Sequence, residues 1–493
     1  MRLTFEGEKR VSAATLPAMK TIFLFLLLLG VSSSGSFAAE AAVPPERSID
    51  LTSWMDADYG TGNWLGVRTG LQDKGVSISG GYTAEVWGNT TGGLKRGAVY
   101  TGLLDFGAEL DLEKLIGWKG ASVSTTWLWL SGRDASEDLV GNFLTISNIA
   151  GFNTLRMLEL WFQQDFFQRE DDGPAGLSIR VGQFTADSEF VISDYGALFT
   201  NGTFGWPAFL YTNIPAGGPG YPMGALGVRV AANPWEWLTL QSAVFEGNVF
   251  DQNVNRHGFR WDLNANQGYF WLNELQVRWN QSNPKRLPGQ AKFGAWFHTA
   301  DFADPFFDED GIPLANEDSS GNPLTHPWNY GFYWILDQML YREPGKAESV
   351  ASGLNTDGKS VASSKASTAA KEEKASDQGL GWFGRIAFGP QDRNFVGFYV
   401  ESGLVYTGAI PTRDEDQVGV GFVYAQLTNG ARRTLELEGS RGVGAEMVLE
   451  VTYQLNLTKW LYVKPNAQFI INPGGTQDLG NAFVIGGRVS LNF

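Results

Sequence analysis

Alternation of apolar and polar residues dominates the chain from Val76 onward. Val76, Ile78, Tyr82, Ala84 and Val86 fall on one side, and Ser77, Ser79, Thr83 and Glu85 on the other. Tyr100, Leu104, Phe106, Ala108 and Leu110 oppose Thr101, Asp105, Glu109 and Asp111 in the same way. Period two with one apolar face marks a β-strand, because successive side chains leave opposite faces. Sixteen such segments are predicted: 76–89, 100–111, 120–131, 154–166, 176–186, 222–232, 237–247, 266–280, 289–300, 329–342, 380–389, 395–407, 417–428, 442–456, 460–471 and 482–493. Most exceed the five or six residues usual in soluble strands and match the roughly 9–11 that a tilted strand needs to cross a bilayer. An even count closes a barrel with both termini on one side, and closure removes the edge that hydrocarbon cannot satisfy. The expected fold is all-β: a 16-stranded antiparallel transmembrane β-barrel over 76–493. Segments 154–166 and 329–342 mix apolar and polar residues on both faces, which leaves their phase open.

Outside the strands the pattern changes. Thr21–Val31 is an apolar run too short to span a bilayer as a helix; with Lys20 before it and Ser36-Phe37-Ala38 after it, residues 1–38 read as a cleaved signal peptide. Glu6 and Glu8 are foreign to a signal n-region and point to Met19 as an alternative start. Residues 39–75 form an N-terminal periplasmic segment, with one or two helical turns at Asn63–Lys74 closed by Gly75. Counted upward from the periplasm, the connection 187–221 is the third outer loop. It is too apolar to be purely solvated, so it is read as folded into the lumen; a surface cap over the mouth is the alternative. Residues 343–379 are rich in Ala, Ser, Lys and Glu, cannot bury enough surface to order themselves, and read as a disordered insertion. Trp118, Tyr269, Trp279, Trp382, Trp460 and Tyr462 lie near strand ends, where amphipathic rings suit the membrane interface.

Composition narrows the function. The formal charge of −16 becomes −18 once residues 1–38, with four basic and two acidic residues, are removed; this argues against a nucleic-acid partner. No cysteine is present, which excludes thiolate chemistry. The three histidines, His257, His298 and His326, fall on separate segments, and no metal-ligand or phosphate-loop spacing occurs. No enzyme activity, cofactor or metal is therefore expected, and the acidic run Asp308-Glu309-Asp310 is read as solvated.

Several segments resemble the carbohydrate-selective porin family (OprB-like): GNWLGVRTGLQDKGV (62–76), GGLKRGAVYTGLLD (92–105), LVGNFLTISNI (139–149), LFTNGTFGWPAF (198–209), KFGAWFHTADFAD (292–304), YGFYWILDQMLYREPG (330–345) and PNAQFIINPGG (465–475). They occur in family order from about Trp54 to Phe493. The resemblance implies a sixteen-stranded outer-membrane porin that lets small carbohydrates, monosaccharides such as glucose, diffuse passively into the periplasm. It does not account for the 343–379 insertion. The alternatives are a general diffusion porin without sugar preference and an outer-membrane barrel enzyme. Implied partners are small sugars, outer-membrane lipids and the barrel assembly machinery, the last through Phe493; a homotrimer remains open.

Alternation nominates the residues that face the lumen: Glu85, Asp105, Glu109, Glu159, Arg180, Arg229, Glu274, Arg278, Lys292, Trp296, Arg385, Glu401, Lys464 and Arg488. Gln276, His298, Glu446, Glu450, Asn466 and Gln468 share that face. The inner loop adds Asp187, Glu189, Asp194, Asn201, Phe204 and Trp206. A lining of mixed sign suits neutral polyols, since carboxylates accept and guanidinium groups donate hydrogen bonds to hydroxyls. Trp87, Trp296, Tyr399 and Phe204 or Trp206 offer ring faces to sugar C–H surfaces. Residue by residue, a wall-stabilising ion pair is the simpler reading of any one lumen charge.

Overall fold

In this computed structural model the described residues are 54–168, 174–281, 283, 285–344 and 378–493. The expected signal peptide and most of the expected insertion therefore lie outside the described residues.

Sixteen antiparallel strands close into one barrel. They are β1 (Val76–Thr91), β2 (Gly97–Asp111), β3 (Ala121–Gly132), β4 (Thr154–Phe166), β5 (Leu177–Phe184), β6 (Ala225–Trp235), β7 (Leu238–Glu246) and β8 (Tyr269–Trp279). The second half comprises β9 (Gly289–Asp308), β10 (Pro323–Arg342), β11 (Gly379–Phe388), β12 (Val396–Thr407), β13 (Gln417–Leu427), β14 (Ala445–Thr458), β15 (Leu461–Ile471) and β16 (Ala482–Asn492). Each pairs with its neighbours in sequence, and β1 closes on β16 in a register that sets Glu85 opposite Arg488. Side chains such as Val86, Phe106, Leu240, Phe293, Phe332, Leu404, Val451 and Ile485 are exposed on the outer wall, alternating with buried inward neighbours. Among the described residues no helix is long and apolar enough to cross a membrane. The short helix is Val67–Asp73; Asn63 Oδ1 accepts from the Thr69 N–H at 3.0 Å, and Gly75 follows at φ +88°.

Both ambiguous segments have a physical cause. In β4 the register slips where Thr126 pairs with Glu159 but Trp127 pairs with Met157, so Leu158 is an inserted residue and the alternation changes phase there. In β10 a second slip falls between Met339 and Tyr341, and the inward residues Tyr333, Ile335 and Met339 are apolar because they meet protein instead of water. Tyr333 fits because its partner across the ladder is Gly294, where a β-carbon would lie 1.9 Å from the ring.

Three details depart from expectation. β9 and β10 run to Asp308 and start at Pro323, 20 residues each, so their hairpin extends past its neighbours. The helix Asn429–Leu437 braces it, with Thr434 Oγ1 donating to Pro305 O at 2.6 Å and Arg433 stacked over Phe306. Asp308 is fully buried, not solvated: its carboxylate accepts the N–H groups of Asp310, Ile312 and Ser320 and the Ser319 hydroxyl, and so shapes the turn. Trp460, expected to offer its ring to the membrane interface, is instead buried against Trp54, their ring centroids 4.6 Å apart.

Candidate functional site: a lumen narrowed by a clamped loop

The connection from β5 to β6, residues 185–224, carries the apolar side chains that a solvated loop would not. Phe190, Val191, Leu198, Phe199, Phe204, Phe209, Leu210 and Ile214 are buried against inward wall residues including Trp87, Phe245, Trp296, Tyr333, Phe383 and Tyr399. Fully burying one such side chain stabilises by roughly 1.5–3 kcal/mol, so this cluster is a true core inside the barrel. Phe199 and Phe204 stack at 4.6 Å, and Phe209 meets both Tyr333 and Tyr399 within 6 Å.

Charged wall residues hold the loop backbone. Glu450 accepts the N–H groups of Thr200 and Asn201 at 2.7 and 3.0 Å. Glu274 accepts Val191 N–H at 2.9 Å and the Tyr333 hydroxyl at 2.7 Å. Lys292 and Lys464 donate to the carbonyls of Ile192 and Leu198, each at 2.7 Å. Arg385, paired with Glu401 at 3.0 Å and like it wholly buried, donates to Val191 O at 2.6 Å and to Phe204 O at 3.3 Å. Asp337 accepts from Ser193 Oγ at 2.6 Å. The second outer loop, 133–153, is clamped in the same way: Glu446 accepts the Phe143 and Leu144 N–H groups, and Glu85 accepts the Ser147 hydroxyl while bridging to Arg488.

This placement sorts the expected residues. Glu85, Glu274, Trp296, Arg385, Glu401, Lys464, Arg488, Asn201 and Phe204 are buried where loop meets wall, as are Trp87 and Tyr399. Solute contact was expected of most of them; here loop atoms hydrogen-bond to Glu85, Glu274, Arg385, Lys464, Arg488 and Tyr399. Asp105, Glu109, Glu159, Arg180, Arg278, Asp187, Glu189 and Asp194 keep some exposure. Arg229 and Lys292, although mostly buried, line an inner cavity with Arg278, Glu189 and Asp194. That cavity, of about 510 Å³, lies toward the end where the turns are. On the other side of the loop, Asp187 and Trp206 line a cavity of about 400 Å³ together with Asp134 and Tyr221.

A charge cluster borders the inner cavity. Glu189 is 2.6 Å from Arg180 and 2.5 Å from Arg229. Gln163 accepts from both guanidinium groups, at 3.0 and 2.9 Å. The Arg180 guanidinium lies 3.9 Å from the centre of the Trp161 ring. Glu159 fixes the loop's departure by accepting the Thr185 N–H and hydroxyl, both at 3.2 Å. The register places Arg180 directly opposite Arg229 on adjacent strands; like charges there repel, and Glu189 from the loop supplies the compensating carboxylate. Gln163, Trp161, Asp337 and Asp134 were missed by sequence reasoning. Trp161 and Gln163 follow the slip in β4, and Asp337 lies on the other ambiguous strand.

Asp134 gives the outer cavity a pH dependence. Burial pushes its carboxyl up to about 6, helped by the nearby carboxylates of Glu137 and Asp138. Burial likewise raises Asp187 above the ordinary carboxylate range. The native state then holds a proton at Asp134 that the unfolded chain releases near pH 4. That contribution to stability is present below about pH 4 and lost as the pH rises through 6. Over the same interval the cavity gains negative charge. Cation preference, read as reversal potential across a salt gradient, is expected to rise between pH 5 and 7, and Asp134→Asn to flatten the rise. An equal rise in the variant would count against this.

The model of the carbohydrate-selective porin, OprB family, matches residues 95–493. The chain belongs to that family. It is a sugar-preferring porin, and membership with the closed barrel places it in the outer membrane as a channel. Porin B of Pseudomonas aeruginosa is 26% identical over 513 residues, covering 97% of this chain and 99% of that relative. The putative porin QuiX of Acinetobacter baylyi is 24% identical, covering 89% and 94%. In fold, this OprB-family chain resembles the high-pH structure of Pseudomonas putida OprB, with a TM-score of 0.73 at 24% identity over 89% of this chain and 99% of that one. Among the described residues no group of three or more His, Asp and Glu is placed to hold a metal.

Proposed function

We propose that this porin passes monosaccharide-sized solutes between its two cavities, and that Glu189, flanked by Arg180 and Arg229, forms the contact that selects them. The observation that carries the reading is the compensated cluster itself. A carboxylate held between two guanidinium groups presents acceptors and donors side by side, which suits vicinal hydroxyls. With Glu159 also close to Arg180, two carboxylates balance the two guanidinium groups, and a neutral polyol meets strong hydrogen-bonding groups at a point where an ion gains little net field. Asp187 and Trp206 on the outer side, and Asp194, Arg229, Arg278 and Lys292 on the inner side, would receive and release the solute.

Transport in this reading is passive, no chemical step being needed, and the chain acts as a channel and not an enzyme. Removal of residues 1–38 precedes insertion, Phe493 marks the chain for the assembly machinery, and lipid covers the outer wall; association into a trimer adds nothing to this route. Single-channel conductance in a planar bilayer, titrated with glucose and then with a disaccharide, tests the proposal. Conductance is expected to fall saturably with glucose, and at higher concentration with the disaccharide. Conductance indifferent to either sugar would leave an unselective pore.

A further inference from the structure

Strand β5 pairs with β4 only from Leu160 opposite Gln183 to Phe166 opposite Leu177. The remaining part of β4, Thr154–Glu159, has no strand on that side. The connection between β7 and β8, residues 247–268, takes its place. Met157 N–H donates to His257 O at 3.0 Å, Thr154 Oγ1 donates to Arg256 O at 2.9 Å, and His257 Nδ1 lies 2.8 Å from Leu155 O. Gly258 presses so closely on β4 that a β-carbon there would lie 2.1 Å from Met157 O.

The segment lies against the outer wall. Met157 pairs with Trp127, and in β3 Trp127 alternates with the inward Thr126 and Leu128, so both face outward. Met157 is nonetheless only 2% exposed, and Phe259 packs on the Trp127 ring at 5.7 Å. The segment's outer surface carries Phe259, Trp261 and Leu263, all about half exposed or more, continuous with the lipid-facing side of β3 and β4. Arg256 and Arg260 are exposed beside them. Arg256 donates to Asn153 O at 2.6 Å, and Arg260 lies 4.7 Å from the Phe250 ring. Among the described residues neither has a carboxylate at ion-pair distance, and the nearby Asp251 and Asp262 accept from the backbone N–H groups of Asn253 and Asn264.

We propose that this strap binds the phosphate-bearing headgroup of a lipid in the leaflet at the loop end. Arg256 and Arg260 take the phosphate through paired N–H donors, and Phe259, Trp261 and Leu263 lie along the acyl chains. Cations with no ion-pair partner among the described residues, beside exposed aromatic side chains at the rim of a lipid-covered wall, complement an anion carried on hydrocarbon. Continuity with that wall commits the site to a lipid and not to free phosphate.

The test uses the full-length protein, purified in detergent and stripped of lipid, with native mass spectrometry and thermal denaturation as readouts. The probes are a doubly phosphorylated, multiply acylated disaccharide lipid, the same lipid without phosphates, and inorganic phosphate. The phosphorylated lipid is expected to remain bound and to raise Tm. The dephosphorylated lipid should bind at least about tenfold more weakly, and the R256Q/R260Q variant should lose the difference while keeping wild-type conductance. Equal binding of both lipids, or by variant and wild type, would overturn the proposal. Competition by inorganic phosphate at the lipid's own concentration would overturn it too, showing a site for the free anion. If the double variant does not fold, the comparison of the two lipids on the wild-type protein decides alone.

Discussion

Arg385→Met is expected to loosen the inner loop and to be the most damaging single change in the lumen. Arg385 and Glu401 face each other at 3.0 Å with no solvent exposure. Taking one partner from a buried pair leaves an uncompensated charge and costs about 3–5 kcal/mol. The loop also loses the donor to Val191 O, Thr203 O and Phe204 O, which tie its two halves to β11. Thermal denaturation should show a clear fall in Tm, and single channels should open to a larger, noisier conductance with weaker sugar block. The double variant R385M/E401Q should recover much of the stability, since neither charge of the pair remains, but not the quiet conductance, because the carbonyls stay unheld. A single variant with wild-type conductance and Tm would mean that the loop is held by its aromatic core alone.

Glu189→Gln should act in the opposite manner, with little effect on folding and a large effect on selection. Glu189 and Arg180 keep part of their surface exposed, and the mostly buried Arg229 keeps its hydrogen bonds to Ser178 and Gln163, so neither guanidinium group is left without a partner. The change does leave Arg180 and Arg229 facing each other without a carboxylate between them. Hydrogen bonds to charged groups are worth about 1.5–3 kcal/mol each, so the glucose concentration for half block should rise roughly ten- to hundredfold. The positive pair at the cavity edge should also shift the reversal potential toward anion preference. R180Q/E189Q should return ion preference toward the wild-type value without restoring the sugar block. Unchanged block in Glu189→Gln would move the selecting contact to Asp187 or Asp194.

Much of this architecture is legible in the chain. Alternation such as Tyr100–Asp111 carries strand, length and face at once, because only a sheet between lipid and a filled interior imposes period two over a full membrane crossing. The sixteen segments, the short helix before Val76 and the inner loop's apolar content all follow from local pattern. So does the candidacy of Glu189, which lies in the first turn of a loop following a strand that carries Arg180.

What local pattern left open is what covers an inward face. Arg385 and Arg180 look alike in sequence, each alternating with apolar neighbours on a strand. The path of residues 185–224 puts one beneath a wall of phenylalanines and leaves the other partly open to solvent. The slips at Leu158 and Leu340 are equally silent in sequence, since an extra residue in one strand is defined only by its partner. The sequence by itself therefore determined the barrel and its two faces, which depend on neighbours two residues apart. Only the tertiary structure decided which charges clamp loops and which meet solute, because that depends on packing between segments hundreds of residues apart, such as Thr200 on Glu450.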